Sequence, residues 1–409
     1  MSSTLRIAVT GLAATYPLGG VFWDYMQYVL GFKRLGHDVL YIEDTGRWCY
    51  QPTKATFVES GEQNAAFLLT HMTALDPDLR DRWFFRDATG REFGRPWKDV
   101  VTFCKEADLF VHLSASCWMR DEYFAASRLA FVDSDPMYTQ GAVLSYLSGS
   151  ADGEARARVE MLKAHDVLFT FAENIGAPDC KVPVDPWEWI PTRQPVVVDC
   201  FRESIVLPVS RRPVLTTVAS WEAADDGFEV DGAIYRGKRG EFERFIRLPS
   251  RSVLPLELAL SGRVPAERLR RYGWRVKDAY VASRDPWVYR SYLASSSAEW
   301  SVAKDAYVLS RSGWFSCRSA CYLAAGVPAI VQDTGRMGLP SGAGLLRFAT
   351  LEQAADAIDE VARQPDKHAR AALDLAEEYL NSDKVLSVLI DSAFGEKVPQ
   401  RPARRSPPP

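Results

Sequence analysis

The start of the chain alternates between two hydrophobic patterns. LRIAVTG (residues 5–11) is a short β-branched run closed by glycine, the pattern of a buried strand. After the loop LAATYPLGG, the stretch VFWDYMQYVLGFKRLG puts Phe22, Met26, Val29, Leu30 and Leu35 at helical spacing, with Gly36 as a C-cap. HDVLYIED then predicts a second strand. Strand–helix–strand is the unit that builds a parallel sheet. ADLFVHLSA (107–115), RLAFVDSD (128–135) and HDVLFTFAEN (165–174) continue the series, apolar enough for strands covered on both faces.

The pattern shifts near residues 203–221. LPVSRRP is polar, basic and proline-bearing, the composition of a linker, and VLTTVASW after it opens a second strand–helix series. FERFIRLPSR, GWRVKDAYV, a helix around PWVYRSYLASS and the unit SRSGWFSCRSACYLAAGVPAIVQDTG (310–335) are its members. Leu351, Ala354, Ala355, Ile358 and Val361 predict a helix over 351–364, and two more follow at 367–381 and 384–394. The reading is an α/β protein of two doubly wound units. An N-terminal domain spans 1–207, a C-terminal domain 208–396, and a proline-rich tail at 397–409 is expected to be disordered.

Composition narrows the function classes. The 409 residues suit two domains, and 47% hydrophobic with 25% charged residues is ordinary for a soluble protein. A net charge of −4 supplies no basic field for nucleic acid, so no nucleic-acid partner is expected. Seven scattered cysteines form no CxxC pair and histidines number five, so no metal site is expected and the thiols read as free, in a reducing cytoplasm. The first residues lack a signal-peptide pattern, and no apolar stretch is long enough for a membrane span.

Chemistry concentrates at predicted strand ends. Gly19 and Gly20 precede the first helix, where free amides favour an anion or a hydroxyl-rich ligand, or where a loop must pass close to a strand. Asp24 is expected in that helix's first turn. DTG occurs at Asp44–Gly46 and again at Asp333–Gly335, and DSDP at 133–136 contributes Asp135; such loops hold polar ligands or form Asx turns. In SGWFSCRS, the residues Ser312, Gly313, Ser316 and Ser319 surround a helix start, with Arg318 in its first turn. A guanidinium there opposes the helix dipole, so a phosphate shared by Arg318 and the helix amides is preferred over a surface ion pair. Cys317 stays without a role, and Cys321 reads as packing.

The segments GGVFWDYMQYVLGFKRLGHDVLYIEDTG, FVDSDPMYTQ and SGWFSCRSACYLAAGVPAIVQDTG resemble the glycosyltransferases of the GT-B fold. More narrowly they resemble a bacterial group of natural-product or uncharacterised glycosyltransferases, over residues 5 to 390. The resemblance implies two Rossmann-like domains facing an interdomain cleft and a helical C-terminus that often packs back on the first domain. It implies an acceptor on the first domain (Gly19, Gly20, Asp44, Asp135) and a nucleoside diphosphate sugar on the second. No metal or other cofactor is implied. Ser312, Gly313, Ser316, Arg318, Ser319 and, more weakly, Ser220 would face the diphosphate; Trp274 the base; Asp333 and Thr334 the donor sugar.

Two points stay open at this stage. The family often has a ribose-holding glutamate where Cys321 stands, which a thiol cannot replace, and Glu299 is a substitute to consider. The base that takes the acceptor proton is expected to be Asp24 first and His112 second, with Glu43, Asp44 and Asp135 as further candidates. A sugar-nucleotide epimerase and an inactive sugar-nucleotide-binding homologue remain alternatives. The acceptor, the nucleobase, the sugar, the stereochemistry and the oligomeric state are not legible in the sequence.

Overall fold

The computed structural model describes residues 4–149, 153–222, 227–230 and 232–395. The tail expected at 397–409 lies outside them. The chain builds two main sheets. The first orders its strands as Trp189–Pro191, Val167–Thr170, Arg128–Asp133, Leu109–Leu113, Arg6–Thr10, Asp38–Asp44, Trp83–Arg86 and Glu92–Gly94. Every pairing is parallel except the last, where the edge strand returns antiparallel. The second orders Arg275–Asp278, Leu256–Ser261, Arg212–Ser220, Ser296–Ser301, Ala329–Gln332 and Leu345–Phe348, all parallel. The fold is α/β, with its strands covered by helices as the apolar runs require.

Two strands of the second sheet escape the hydrophobic pattern. Ser296–Ser301 reads SSAEWS, too polar for a central strand, yet it is buried. Most of its polar atoms have partners: Ser296 Oγ meets Thr216 Oγ1 at 2.6 Å and donates to the Tyr292 carbonyl at 3.0 Å, and Glu299 Oε1 meets Arg318, while Glu299 Oε2 and Trp300 Nε1 have none among the described residues. Polar groups can be buried when each is hydrogen-bonded, and that hides the strand from a periodicity reading. Leu256–Ser261 is the other, and the edge strand Leu345–Phe348 also falls outside the expected series. FERFIRLPSR, by contrast, holds a helix at Arg239–Arg244 and a 3₁₀ turn at Leu248–Arg251.

The first helix, α1 (Gly19–Arg34), joins the two halves. Its first residue runs against the second half so tightly that a Cβ on Gly19 would fall 2.3 Å from the Asp285 carbonyl oxygen. Only glycine permits that approach. Trp23 Nε1 donates to the Pro286 carbonyl at 3.0 Å, and one continuous apolar core runs from Phe22 and Met26 to Tyr289, Leu293 and Tyr322. The helix predicted at 367–381 is Pro365–Leu375 followed by a π turn, Ala376–Leu380. The last helix, Ser382–Ala393, then crosses back and seats Leu386 over Gly31 of α1. No helix among the described residues is long and apolar enough to cross a membrane.

Leu386 is fully buried at this crossing. Leu386→Ala is expected to cost about 2–5 kcal/mol, the range for a leucine truncated in a packed core. Urea unfolding checks it; a loss under about 0.5 kcal/mol would mean that the last helix is not held against α1.

Candidate functional site

Open parallel sheets expose ligand sites at the carboxyl ends of their strands. Here those ends face each other across a cleft of about 1230 Å³. From the first half, Tyr16, Gly20, Asp24, Tyr50, Phe57 and Asp135 reach it. From the second come Ser220, Glu222, Lys238, Lys277, Asp278 and Arg318, with Arg270 at the edge. The start of the helix Cys317–Ala324 opens into the cleft through Ser316 and Cys317.

The cations of the second wall differ in how they are held. Arg318 donates from Nε to Glu299 Oε1 at 2.7 Å and from Nη1 to the Val218 carbonyl at 3.0 Å. Glu299 is wholly buried, so this is a buried ion pair and not the surface pair weighed from sequence. Glu299 does not line the cleft and is not placed to hold a ribose. The side chain of Lys238, just before the helix Arg239–Arg244, has no hydrogen bond or ion pair among the described residues. Burial, with Arg318 and Lys304 acting in the same direction, brings its ammonium down to about 7. Asp135 and Glu299 are near enough to oppose that shift, but neither bonds to the ammonium.

Asp24 faces these cations from α1. It sits in the helix's second turn rather than the first, because the helix begins at Gly19. Its carboxylate has no hydrogen-bond partner among the described residues. Burial pushes it up to about 7 against the opposing pull of Arg318, and Asp135 adds to the rise. Asp135 is tied across the cleft, accepting from Lys304 Nζ at 2.5 Å and from the Tyr307 hydroxyl. Burial would raise it, but those two partners outweigh burial and hold it below the usual carboxylate range. Of the carboxylates considered from sequence, Asp24 alone is both in the cleft and unpaired.

Several sequence candidates stand elsewhere. His112 is buried in the first sheet, not in the cleft. Its Nε2 accepts from the Cys117 amide at 3.2 Å, so Nδ1 carries the proton towards His165 Nε2, also at 3.2 Å. Burial keeps it neutral, and it is a core histidine rather than a base. Asp44 is bound by Arg86 and Arg120 and by the Tyr123 hydroxyl at 2.9 Å, which ties loops together below the cleft. Glu43 accepts from the amides of Ala14 and Thr15 and from the Tyr41 hydroxyl, holding the loop after the first strand. Trp274 precedes its strand, packs 5.1 Å from Trp300 between ring centroids, and donates to the Ile246 carbonyl; it belongs to the core.

The opening of the 310–335 unit divides in the same way. Ser316 and Arg318 reach the cleft. Ser312 is fully buried, and Gly313 takes a positive φ of 77° where a Cβ would strike the Arg336 carbonyl at 2.2 Å. Ser319 and Thr334 line a separate void of about 10 Å³, room for about one water. Asp333 is paired with Arg347 and Arg311. Among the acceptor candidates Gly20 and Asp135 line the cleft, whereas Gly19 serves the crossing to Asp285. Cys321, 2% exposed, is sealed against Gln27 of α1, so no group at that position reaches a ribose.

This architecture has counterparts among solved structures. An alpha-glucosyltransferase in complex with UDP and a 13-mer DNA superposes with a TM-score of 0.57 at 10% identity, covering 95% of this chain and 99% of that one. A glycosyltransferase from Rickettsia africae gives 0.51 at 11% identity, over 97% and 100% of the two chains. AviGT4, a glycosyltransferase involved in Avilamycin A biosynthesis, gives 0.50 at 12%, over 95% and 97%. The chain has the GT-B fold. No protein-family model matches it, and no curated protein matches it in sequence.

Within this GT-B cleft, two features escape the sequence reading. Lys238 lies in YRGKRG, a basic, glycine-flanked run after a short strand, which is a detectable signal for an anion contact. The hairpin Cys49–Gln51 and Thr56–Val58, which carries Tyr50 and Phe57 to the cleft, has no comparable pattern.

The two cations are separable by stability. Glu299→Ala leaves Arg318 buried without its partner and is expected to cost about 3–5 kcal/mol. Lys238→Met removes a cation with no partner and is expected to change stability by less than about 0.5 kcal/mol, or to raise it. Equal losses in denaturant titrations would mean that Lys238 has a structural role.

Proposed function

We propose that the protein transfers a sugar from a nucleoside diphosphate donor to a small-molecule acceptor bound in the interdomain cleft. The observation that carries this reading is the cationic wall built from Arg318, Lys238 and the N-terminus of the Cys317–Ala324 helix. Arg318 is paired with Glu299, whereas Lys238 feels Asp135 and Glu299 without bonding to either, which leaves its ammonium and the helix amides open to a ligand anion. A diphosphate fits that position, with Ser220 and Ser316 as further donors on the same wall. The alpha-glucosyltransferase of the same fold is described in complex with UDP, which supports a uridine nucleotide as the first donor to test. The GT-B glycosyltransferase involved in Avilamycin A biosynthesis supports the natural-product side of the reading.

Asp24 takes the role of the group that accepts the acceptor hydroxyl's proton. It faces the cations, is unpaired, and has a proton affinity matched to neutral pH, where general bases work best. With Cys321 sealed, ribose hydroxyls fall to Glu222 or Asp278, the carboxylates that line the same wall.

Calorimetry with UDP, TDP and GDP tests the donor half. At least one should bind below millimolar concentration, and Lys238→Met should weaken it by about tenfold or more, the scale of a hydrogen bond to a charged group. No binding by the wild-type protein would end this reading.

The pH dependence follows from the two groups near 7. The base is active when Asp24 is deprotonated, above about 7. The clamp is strongest when Lys238 is protonated, below about 7. kcat/KM should therefore be bell-shaped with its maximum near neutrality, Asp24→Asn should remove nearly all turnover, and Lys238→Met should flatten the alkaline limb. A profile that is level between pH 6 and 8 would contradict both assignments.

A further inference from the structure

The two walls of the cleft differ in chemistry. The second wall carries Lys238, Lys277, Arg270 and Arg318. On the first, the ionisable carboxylates are Asp24 and Asp135, the latter already neutralised by Lys304, and no lysine or arginine lines it among the described residues. The first wall is instead aromatic. Tyr16, Tyr50 and Phe57 form one cluster, with ring centroids 6.2 Å apart for Tyr16 and Tyr50, 6.0 Å for Tyr16 and Phe57, and 5.2 Å for Tyr50 and Phe57.

That cluster is built to face outwards. Tyr50 and Phe57 pair directly across the hairpin, and Ala55 at its turn takes a left-handed conformation. Phe57 is 47% exposed, an uncommon cost for a ring that the core has no need to leave out. Leu18, Val21 and Pro52 extend the apolar surface around the rings. Asp278 on the opposite wall is close enough to act on the Tyr50 hydroxyl, so the hairpin overhangs the cleft rather than pointing away from it.

We infer that Tyr16, Tyr50 and Phe57 form the acceptor subsite, and that the acceptor is an uncharged aromatic molecule bearing a hydroxyl. The inference rests on the sugar-transfer reading and names its acceptor class. Rings in tilted and edge-on arrangements present both a face and an edge to a planar guest, and the burial of that guest against Phe57 removes apolar surface from water. The charge pattern selects against the alternatives. A polynucleotide would need cations along this wall for its phosphates, and it has none there. A carboxylated or phosphorylated acceptor would lie beside Asp24 with no cation on its own wall and would compete with the donor for Arg318 and Lys238. A neutral phenol places its ring on the cluster and its hydroxyl towards Asp24, where loss of the proton to the carboxylate accompanies attack of the oxygen on the sugar's anomeric carbon. The donor's carbon–oxygen bond breaks, and the nucleoside diphosphate leaves with the bonding pair.

The test is a fluorescence titration of the full chain with 2-naphthol, run with and without UDP, on the wild-type protein, Phe57→Ala and Tyr50→Ala. The wild-type protein is expected to bind naphthol, each variant about tenfold more weakly, and UDP affinity is expected to move less than twofold. Phe57→Trp should retain binding, which separates loss of the ring from a fold defect; Phe57 is exposed enough that its variants serve if Tyr50→Ala does not fold. A wild-type protein that binds naphthol through Phe57 but not UDP removes the nucleotide reading and leaves the aromatic site standing. One that binds UDP but not naphthol removes the aromatic site alone. Parallel losses of UDP and naphthol affinity in Phe57→Ala would overturn the assignment by placing the rings against the nucleobase, and so would tight binding of a 13-mer DNA duplex in place of naphthol.

Discussion

The cleft depends on how a few positive charges are paid for. Arg318 lies close enough to Lys238 to lower that lysine's proton affinity; Arg318 is nearly buried and Lys238 half-buried. Glu299, buried on the central strand Ser296–Ser301 of the second sheet, compensates one of them. Burying a charge without a partner is costly, so the second cation persists in this position only at some expense to the free protein. Burial raises Asp24 against the pull of Arg318, and burial together with Arg318 lowers Lys238, which brings two groups of opposite type to nearly the same proton affinity. A ligand with two or more negative charges relieves this arrangement.

Holding the walls at fixed separation is the task of α1. Its N-terminus meets Asp285 through Gly19, Trp23 bonds to Pro286, and the last helix clamps its far end through Leu386. Asp135 adds an ionic tie to Lys304, and Trp314 Nε1 bonds to the Ser134 carbonyl at 2.9 Å. These contacts surround the cleft, so groups from both halves can address one bound molecule.

The fold was largely legible in the sequence because buried parallel strands are written as apolar runs. The Arg6–Thr10, Asp38–Asp44 and Arg128–Asp133 strands follow from pattern alone. The Ser296–Ser301 strand does not, since its polarity is compensated in large part by partners distant in sequence, Thr216 and Arg318. The site was less legible for the same reason. Asp24, Ser316, Arg318 and Ser220 reach the cleft, but nothing local distinguishes Asp135, which lines it, from Asp44, which is locked by Arg86 and Arg120 from other strands. His112 and Trp274 are residue types that catalysis and stacking use, and here three-dimensional packing commits both to the core. Lys238 had a signal in its basic run, whereas the absence of a directly bonded partner for its ammonium among the described residues is visible only in three dimensions.

The central claim is that a diphosphate occupies the space between Lys238 and the start of the Cys317–Ala324 helix. A crystal structure of the full chain soaked with UDP tests it most directly. The account predicts a phosphate oxygen within about 3 Å of Lys238 Nζ and of an amide at the helix start, the distance of a charge-assisted hydrogen bond. UDP bound with its phosphates away from both groups, or a cleft left empty at saturating nucleotide, would contradict it.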